Sequence, residues 1–154
     1  MKKDKKIRIL YLCTGNACRS QMAEGWTNHL KGDIIEAGSA GVTPIGVSRR
    51  AIEVMAEEGV DISGHRSKSM DEFIGADFDY VITLCANAER NCPAGMCNAV
   101  KIHRPFDDPY GLSGDREYVM SEFRRARDEI RAFVESMPEV LISSRDLGEK
   151  PEKN

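Results

Sequence analysis

The feature that most constrains the fold is an alternation of short apolar segments, rich in strand-forming side chains, with longer segments whose apolar residues recur at helical spacing. The predicted strands are residues 7–12, 34–41, 79–85 and 99–106. The predicted helices are residues 22–30, 47–59 and 115–137. This alternation predicts an α/β fold in three layers, in which a four-stranded parallel sheet is flanked by helices.

Length and charge limit the chain further. Its 154 residues fit a single α/β domain, which we place over residues 1–142, followed by a polar tail over residues 143–154. The net charge is -3, with acids and bases interspersed, so we expect no nucleic-acid partner. Arg8 interrupts the first apolar run, and no run approaches the ~20 residues of a membrane helix. We therefore expect a cytoplasmic monomer with no membrane partner.

The chain has an odd number of cysteines, which in a reducing compartment argues against a structural disulfide framework and for catalysis, metal binding or burial. They are Cys13, Cys18, Cys85, Cys92 and Cys97. Three segments with reactive side chains begin at residues 13, 85 and 106, each directly after a predicted strand. Because ligands bind at the carboxyl ends of parallel strands, we expect these segments to converge at one edge of the sheet.

The loop between the first predicted strand and the first predicted helix has the pattern C-x5-R, which suits a tetrahedral oxyanion. Successive N–H groups in such a turn can point inward, beside the positive end of the helix dipole. Gly15 and Asn16 tolerate the backbone angles of the turn, and Arg19 offers a two-pronged guanidinium. The predicted oxyanion-binding residues are Thr14, Gly15, Asn16, Ala17, Cys18, Arg19 and Ser20.

Cys13, at the start of this loop, is the predicted nucleophile. Cysteines at helix N-termini and beside cations have pKa values lowered from ~8.5 to between ~3.5 and ~7.5, so we expect a thiolate at neutral pH. Ser20 could donate a hydrogen bond to it. An oxygen that leaves the oxyanion needs a proton, and the stretch RPFDDPYG supplies two carboxyls after the fourth predicted strand. Asp108, beside Pro109, is the predicted acid, and Asp107 is the alternative.

These residues resemble the low-molecular-weight protein tyrosine phosphatase family along most of the chain, with C-x5-R-S near the N-terminus and Asp-Pro late in the sequence. Within that fold family, the stretches CTGNACRSQMAEGW and TLCANAERNCP resemble the thioredoxin-coupled arsenate reductases. The second stretch is the specific one, because a phosphatase has no chemical need for paired cysteines at positions 85 and 92.

The resemblance implies arsenate as the substrate and a disulfide relay as the mechanism. Cys13 attacks arsenate, assisted by Arg19, to give a covalent thiol-arsenate adduct, and Asp108 protonates the departing oxygen. Cys85 then attacks Cys13 and releases arsenite, and Cys92 attacks Cys85 to leave a disulfide that thioredoxin reduces. The electrons balance, because two thiols that become one disulfide supply the two electrons that arsenic(V) requires.

The chain differs from the arsenate reductases that it resembles at the positions of a cation site. Reductases of this family often carry potassium beside the loop, and the matching positions would include Asn16, Glu24 and Ser39. Arg66 and Lys68 stand where ligands such as Thr and Asp are expected, which puts a potassium site in doubt. Our hypothesis is that the Lys68 ammonium takes the place of the cation.

Two alternatives stay open from the sequence. One is a low-molecular-weight tyrosine phosphatase, for which Tyr110 would form an aromatic wall, and a reductase could itself retain phosphatase activity. The other is a metal-binding module of Cys85, Cys92 and Cys97, but no second pair completes four zinc ligands and we expect no metal. We expect Cys18 to pack beneath the loop backbone, and Cys97 to be a spare thiol in an exposed turn.

Overall fold

The computed structural model describes residues 5–93 and 99–146. The strands are β1 (Ile7–Cys13), β2 (Ile35–Gly41), β3 (Tyr80–Thr83) and β4 (Val100–His103). The helices are α1 (Arg19–Lys31), α2 (Arg49–Glu57), α3 (Ala86–Arg90), α4 (Arg116–Glu135) and α5 (Glu139–Asp146). The strands form one sheet in the order β2-β1-β3-β4, and every neighbouring pair is parallel. The predicted α/β fold with a four-stranded parallel sheet is confirmed.

Strand β1 lies inside the sheet, and its side chains alternate between two apolar clusters. Ile9, Tyr11 and Cys13 face the larger cluster, to which α1, α2 and α4 contribute. Leu10 and Leu12 face the smaller cluster on the opposite side. A strand that is covered on both faces needs apolar side chains at nearly every position, which explains the continuous apolar run in the sequence. Cys13 is the last residue of β1, so the sheet holds it at its carboxyl edge.

The helix boundaries follow local signals that the sequence displays. Ser48 caps α2, because its side-chain oxygen accepts a hydrogen bond from the backbone N–H of Ala51 at 3.3 Å. Gly59, with a φ of 81°, follows the end of α2, and Gly32 follows the end of α1. The long helix α4 ends before Pro138, as its sequence predicts.

Three elements go beyond the sequence-based prediction: a 3₁₀ turn over Met70–Phe73, the short helix α3, and the last helix α5. Helix α5 crosses the predicted boundary between residues 142 and 143, and its fully buried Leu141 packs in the larger cluster. Residues 147–154 and Cys97 lie outside the described residues. In the described part of the chain, no helix is long and apolar enough to cross a membrane.

Candidate active site

The loop that follows β1 is held from behind by the segment 42–48, which donates backbone hydrogen bonds to four of its carbonyl groups. The donor and acceptor pairs are Val42 to Cys13 (3.1 Å), Thr43 to Thr14 (2.8 Å), Ile45 to Gly15 (3.0 Å) and Ser48 to Ala17 (3.0 Å). These bonds turn the loop carbonyls away from the pocket. The N–H groups of the loop are thereby left to receive an anion, which is the arrangement that the C-x5-R pattern predicts.

Asn16 fixes the shape of the loop from a fully buried position. Its φ is 49°, the left-handed conformation that asparagine tolerates better than most residues. Its Nδ2 donates to Ser20 Oγ at 2.8 Å and to Ser39 Oγ at 2.9 Å. Its Oδ1 accepts from Gln21 Nε2 at 3.0 Å and from the Lys68 backbone N–H at 2.8 Å. All of its side-chain hydrogen-bonding capacity is therefore used to hold the loop.

The Cys13 sulfur, on a residue that is 2% exposed, lies 2.8 Å from Ser20 Oγ. Ser20 Oγ already accepts a hydrogen bond from Asn16, so its own hydrogen is free to be donated to the sulfur. The Asn16 amide thus sets the direction of the Ser20 hydroxyl. The Cys13 sulfur thus has a hydrogen-bond donor beside it at the start of the loop.

Arg19 is almost completely buried and is anchored to the segments that follow β3 and β4. One terminal nitrogen donates to the carbonyls of Leu84 (3.3 Å) and Phe106 (3.0 Å), and the other donates to Asp108 Oδ2 at 3.0 Å. Its Nε is buried and has no hydrogen-bond partner among the described residues. A buried donor without an acceptor is costly unless a ligand uses it, and an oxyanion in the loop would do so.

The structure distinguishes the two candidate acids. Asp108 contacts Arg19 and also accepts from the Tyr110 backbone N–H at 3.0 Å, whereas Asp107 does not line the pocket. The pocket has a volume of about 200 Å³. It is lined by Cys13, Thr14, Gly15, Ala17, Cys18, Arg19, Thr43, Ile45, Asp108 and Tyr110. The first and third reactive segments therefore converge, as the strand order requires.

Cys18 packs beneath the loop and is 3% exposed. Its burial, reinforced by the nearby Asp108 carboxylate, raises the pKa of the Cys18 thiol to about 12. A thiol with such a pKa stays protonated at neutral pH and is a poor nucleophile. Cys18 is thus a packing residue in the reduced protein, as we expected from its position.

The second reactive segment reaches the same loop through Cys85. Its sulfur lies 3.3 Å from Thr14 Oγ1 and accepts a hydrogen bond from the Ala88 backbone N–H at 3.4 Å, so Cys85 caps the N-terminus of α3. Asn87 Nδ2 donates to Thr14 Oγ1 at 3.1 Å. The Thr14 hydrogen is therefore available to the Cys85 sulfur. Two hydrogen-bond donors therefore converge on the Cys85 sulfur.

Cys92 is half-buried and, like Cys85, packs against the smaller apolar cluster. Burial raises the pKa of the Cys92 thiol, and the positive charge of Lys101 opposes that shift. Among residues 5–93 and 99–146 no three His, Cys, Asp or Glu side chains are grouped as metal ligands. The metal-binding alternative also needs Cys97, which lies outside these ranges.

Lys68 lies beside Glu24, one of the positions that match the potassium site of the family's reductases. Its Nζ donates to the Arg66 carbonyl at 2.9 Å and lies 3.8 Å from Glu24 Oε1. Glu24 Oε1 also accepts from Ser39 Oγ at 2.6 Å. The side chains of Lys68 and Glu24 are only 13% and 15% exposed, so an ammonium already neutralises this carboxylate. The Arg66 guanidinium turns away and pairs with Glu72. These residues do not fit a resident potassium ion.

Other supporting residues were not predicted. Gln21 Nε2 donates to the backbone carbonyl of Asn16, and His65 Nδ1 is 2.9 Å from Gln21 Oε1. Ser67 Oγ donates to the same Asn16 carbonyl at 2.7 Å. Apart from Gln21, which lies within the quoted loop motif, these contacts join residues far apart in sequence. No spacing pattern in the chain could have indicated them.

The fold and the loop together define a class of proteins, those with a low-molecular-weight phosphatase fold whose β1–α1 loop carries a cysteine within an anion-binding turn. The model of the low molecular weight phosphotyrosine protein phosphatase family matches residues 8–146, and the chain belongs to that family.

Its relatives include enzymes named as arsenate reductases. Arsenate reductase 2 of Staphylococcus haemolyticus is 47% identical over 133 residues, covering 86% of this chain and 96% of the relative. A solved structure of an arsenate reductase in the phosphate binding state has a TM-score of 0.72 and 33% identity, covering 85% of this chain and 95% of that one. The low molecular weight protein tyrosine phosphatase of T. tengcongensis has a TM-score of 0.71 and 29% identity, over 87% and 99% of the two chains. The resemblance drawn from the sequence motifs is confirmed.

Proposed function

We propose that this chain is an arsenate reductase that works through a disulfide relay and is re-reduced by thioredoxin. One observation carries the proposal: the Cys85 sulfur lies 3.3 Å from Thr14 Oγ1, at the rim of the loop that begins with Cys13. A hydrolase needs a nucleophile, an anion-binding loop and an acid. A second cysteine beside the loop serves a reaction that ends in a disulfide.

In the first step the Cys13 thiolate attacks arsenic(V), an arsenic–oxygen bond breaks, and Asp108 protonates the oxygen that leaves as water. The loop N–H groups and Arg19 hold the remaining oxygens of the covalent adduct. The contact between Asp108 and Arg19 at 3.0 Å supports this assignment, because it keeps the acid at the edge of the anion-binding pocket.

In the second step the Cys85 thiolate attacks the Cys13 sulfur. A sulfur–sulfur bond forms, the sulfur–arsenic bond breaks, and its electron pair stays with arsenic, which leaves as arsenite. Cys92 then attacks Cys85 and Cys13 departs as a thiolate, so that only the Cys85–Cys92 disulfide remains. A dithiol such as thioredoxin supplies the two electrons that close the cycle.

The direct test is arsenite formation with thioredoxin, thioredoxin reductase and NADPH. The oxidation of NADPH is monitored as the measure of turnover. Cys92→Ser should release no more than one arsenite per enzyme, because the Cys13–Cys85 disulfide then accumulates. The same variant should still hydrolyse an aryl phosphate, which needs only the first cysteine. Cys97→Ser is the matched control and should turn over like the wild type. Sustained thioredoxin-driven turnover in Cys92→Ser would contradict the relay.

A second activity, hydrolysis of an aryl phosphate, is favoured by the pocket entrance. Tyr110 and Ile45 line the pocket beside the catalytic loop and are 49% and 53% exposed, so they can flank an aromatic ring. Tyr110→Ala should raise the KM for an aryl phosphate several-fold and leave the KM for arsenate unchanged. Equal changes in KM for both substrates would contradict the role of Tyr110 as an aromatic wall.

The Lys68 ammonium takes the place of a potassium ion in this proposal. Its contact with Glu24 places a positive charge at the end of the hydrogen-bond path Glu24–Ser39–Asn16 that supports the loop. Turnover should therefore be the same in potassium and sodium salts at equal ionic strength. Strong activation by potassium over sodium would show that the lysine does not fill this role.

We place this reaction in the cytoplasm and assign it to a monomer. The described cysteines are free thiols, the state in which a relay must begin and which a reducing compartment maintains. Light scattering of the reduced protein at micromolar concentration should give the mass of one chain. A dimer mass would revise the assembly and leave the relay chemistry unaffected.

A further inference from the structure

Strand β4 presents two polar side chains to the face of the sheet on which the relay cysteines pack. Lys101 pairs in register with Val81, and His103 pairs with Thr83. Residues in register on parallel strands point to the same face. Val81 belongs to the smaller apolar cluster, against which Cys85 and Cys92 also pack. Lys101 and His103 therefore lie on the Cys85–Cys92 side of the sheet.

Contacts from β4 reach the segment between the two cysteines. His103 Nε2 lies 3.7 Å from Glu89 Oε1 on α3, and His103 Nδ1 lies 2.8 Å from Thr83 Oγ1. Two residues earlier on β4, the half-buried Lys101 lies on the same face of the sheet as Cys92, and its ammonium lowers the pKa of that thiol. β4 thus touches the segment at its middle and at its end.

We propose that Lys101 is a further catalytic residue of the relay: its ammonium stabilises the Cys92 thiolate that attacks Cys85. This role rests on the proposed reductase function. In that step the Cys92–Cys85 bond forms, the Cys85–Cys13 bond breaks, and the electron pair leaves on Cys13. The Cys92 proton passes to solvent beforehand, and Lys101 stays protonated throughout.

The half-buried surroundings of Cys92 disfavour its thiolate unless a cation lies nearby. Burial alone disfavours a thiolate, and burial is the larger influence on Cys92. The other charged or titratable groups on α3 and β4 are Glu89, Arg90 and His103. Glu89 and His103 face each other, and Arg90 is exposed. Of the charged groups on these two elements, Lys101 is the one that lowers the pKa of the Cys92 thiol.

The experiment measures the alkylation rate of each cysteine in the reduced protein by mass spectrometry, with iodoacetamide as the probe, from pH 6.5 to 10. In Lys101→Met, the midpoint for Cys92 should rise by about one pH unit. The rate at pH 7.5 should fall only about threefold, because a more basic thiolate is intrinsically more nucleophilic. Above the midpoint the variant should react at least as fast as the wild type.

Matched variants separate charge from packing. Lys101→Arg keeps the positive charge and should give the wild-type profile. Lys101→Gln removes the charge but keeps a polar side chain, and it should shift the profile as Lys101→Met does. Lys5→Met removes one exposed lysine and should change nothing at Cys92. Cys85 alkylation should be the same in all variants. Coincident profiles for Lys101→Met, Lys101→Gln and the wild type would overturn the proposal.

The same variants separate this inference from the reductase function itself. In turnover assays Lys101→Met should keep the first arsenite released per enzyme and slow the later cycles. A wild-type protein that forms no arsenite would refute the reductase function, and the alkylation profile would still report on Lys101. Normal turnover with an unshifted profile would refute the role of Lys101 alone.

Discussion

Among individual residues, the reactivity of Cys13 depends on the direction of one hydroxyl group. Ser20 donates to the sulfur because Asn16 occupies the acceptor side of its oxygen. A hydrogen bond to a charged group is worth about 1.5–3 kcal/mol. We therefore expect Ser20→Ala to slow formation of the first adduct roughly ten- to hundredfold. Rapid-quench measurement of a single turnover, with no thioredoxin present, isolates this step.

The control for that substitution is Ser121→Ala, which removes an exposed serine hydroxyl from the surface of α4. It should leave the single-turnover rate unchanged. Thermal unfolding of both variants shows whether a slow rate reflects chemistry or lost structure. If Ser20→Ala formed the adduct at the wild-type rate, the hydroxyl would have no part in activating Cys13.

The site residues that the sequence alone could predict are those whose chemistry is local. Cys13 and Arg19 were predicted because they occupy fixed positions in a strand–loop–helix unit, and the structure places both on one pocket. Asp108 was preferred to Asp107 because it is adjacent to Pro109, and its contact with Arg19 supports that preference. Ser67 and His65 support the loop through contacts between segments that only the fold brings together.

Among the secondary-structure elements, α3 must change if Cys85 and Cys92 are to form a disulfide. At helical rise, the seven steps from Cys85 to Cys92 advance the chain by roughly 10 Å, whereas disulfides join Cα atoms about 4.4–6.8 Å apart. The helix has five residues, and its cap is the Cys85 sulfur itself. Oxidation therefore removes the cap from a helix that is already marginal.

We expect the amide hydrogens of residues 88–91 to exchange about tenfold faster once that disulfide has formed. The measurement is hydrogen–deuterium exchange of Cys13→Ser, reduced and oxidised, since this variant can form only the later disulfide of the relay. Peptides from α4 provide the internal control and should not change. Equal protection of the α3 amides in both states would mean that the segment accommodates the disulfide without unwinding.

The elements that sequence patterns predicted are those long enough to show a period. The four strands and helices α1, α2 and α4 lie close to their predicted positions, because each repeats its apolar residues several times. Helix α3 spans little more than one turn, so no period can be read from it. Helix α5 was missed because its apolar residues, Val140, Leu141 and Ile142, are consecutive and so show no helical period.

For the protein as a whole, the parallel sheet brings the reactive segments together. The sheet keeps its place only if the helices on one of its faces, α2 and α4, stay packed against each other. Arg127 joins α4 to α2: it is 6% exposed, and one terminal nitrogen donates to the Val54 carbonyl at 3.0 Å and to Glu57 Oε1 at 2.8 Å. Replacing it leaves a buried carbonyl without its donor, which is costly.

We expect Arg127→Met to lower the free energy of unfolding by about 2 kcal/mol. The control is Arg125→Met, because Arg125 is more exposed and both of its partners, Glu122 and Glu129, lie on α4 itself. Its loss should cost no more than about 0.5 kcal/mol. Urea unfolding under reducing conditions measures the free energy of unfolding of both variants. The transition is monitored by the fluorescence of the single tryptophan, the buried Trp26. Equal losses in the two variants would show that contacts within α4, and not the link to α2, account for the contribution of Arg127.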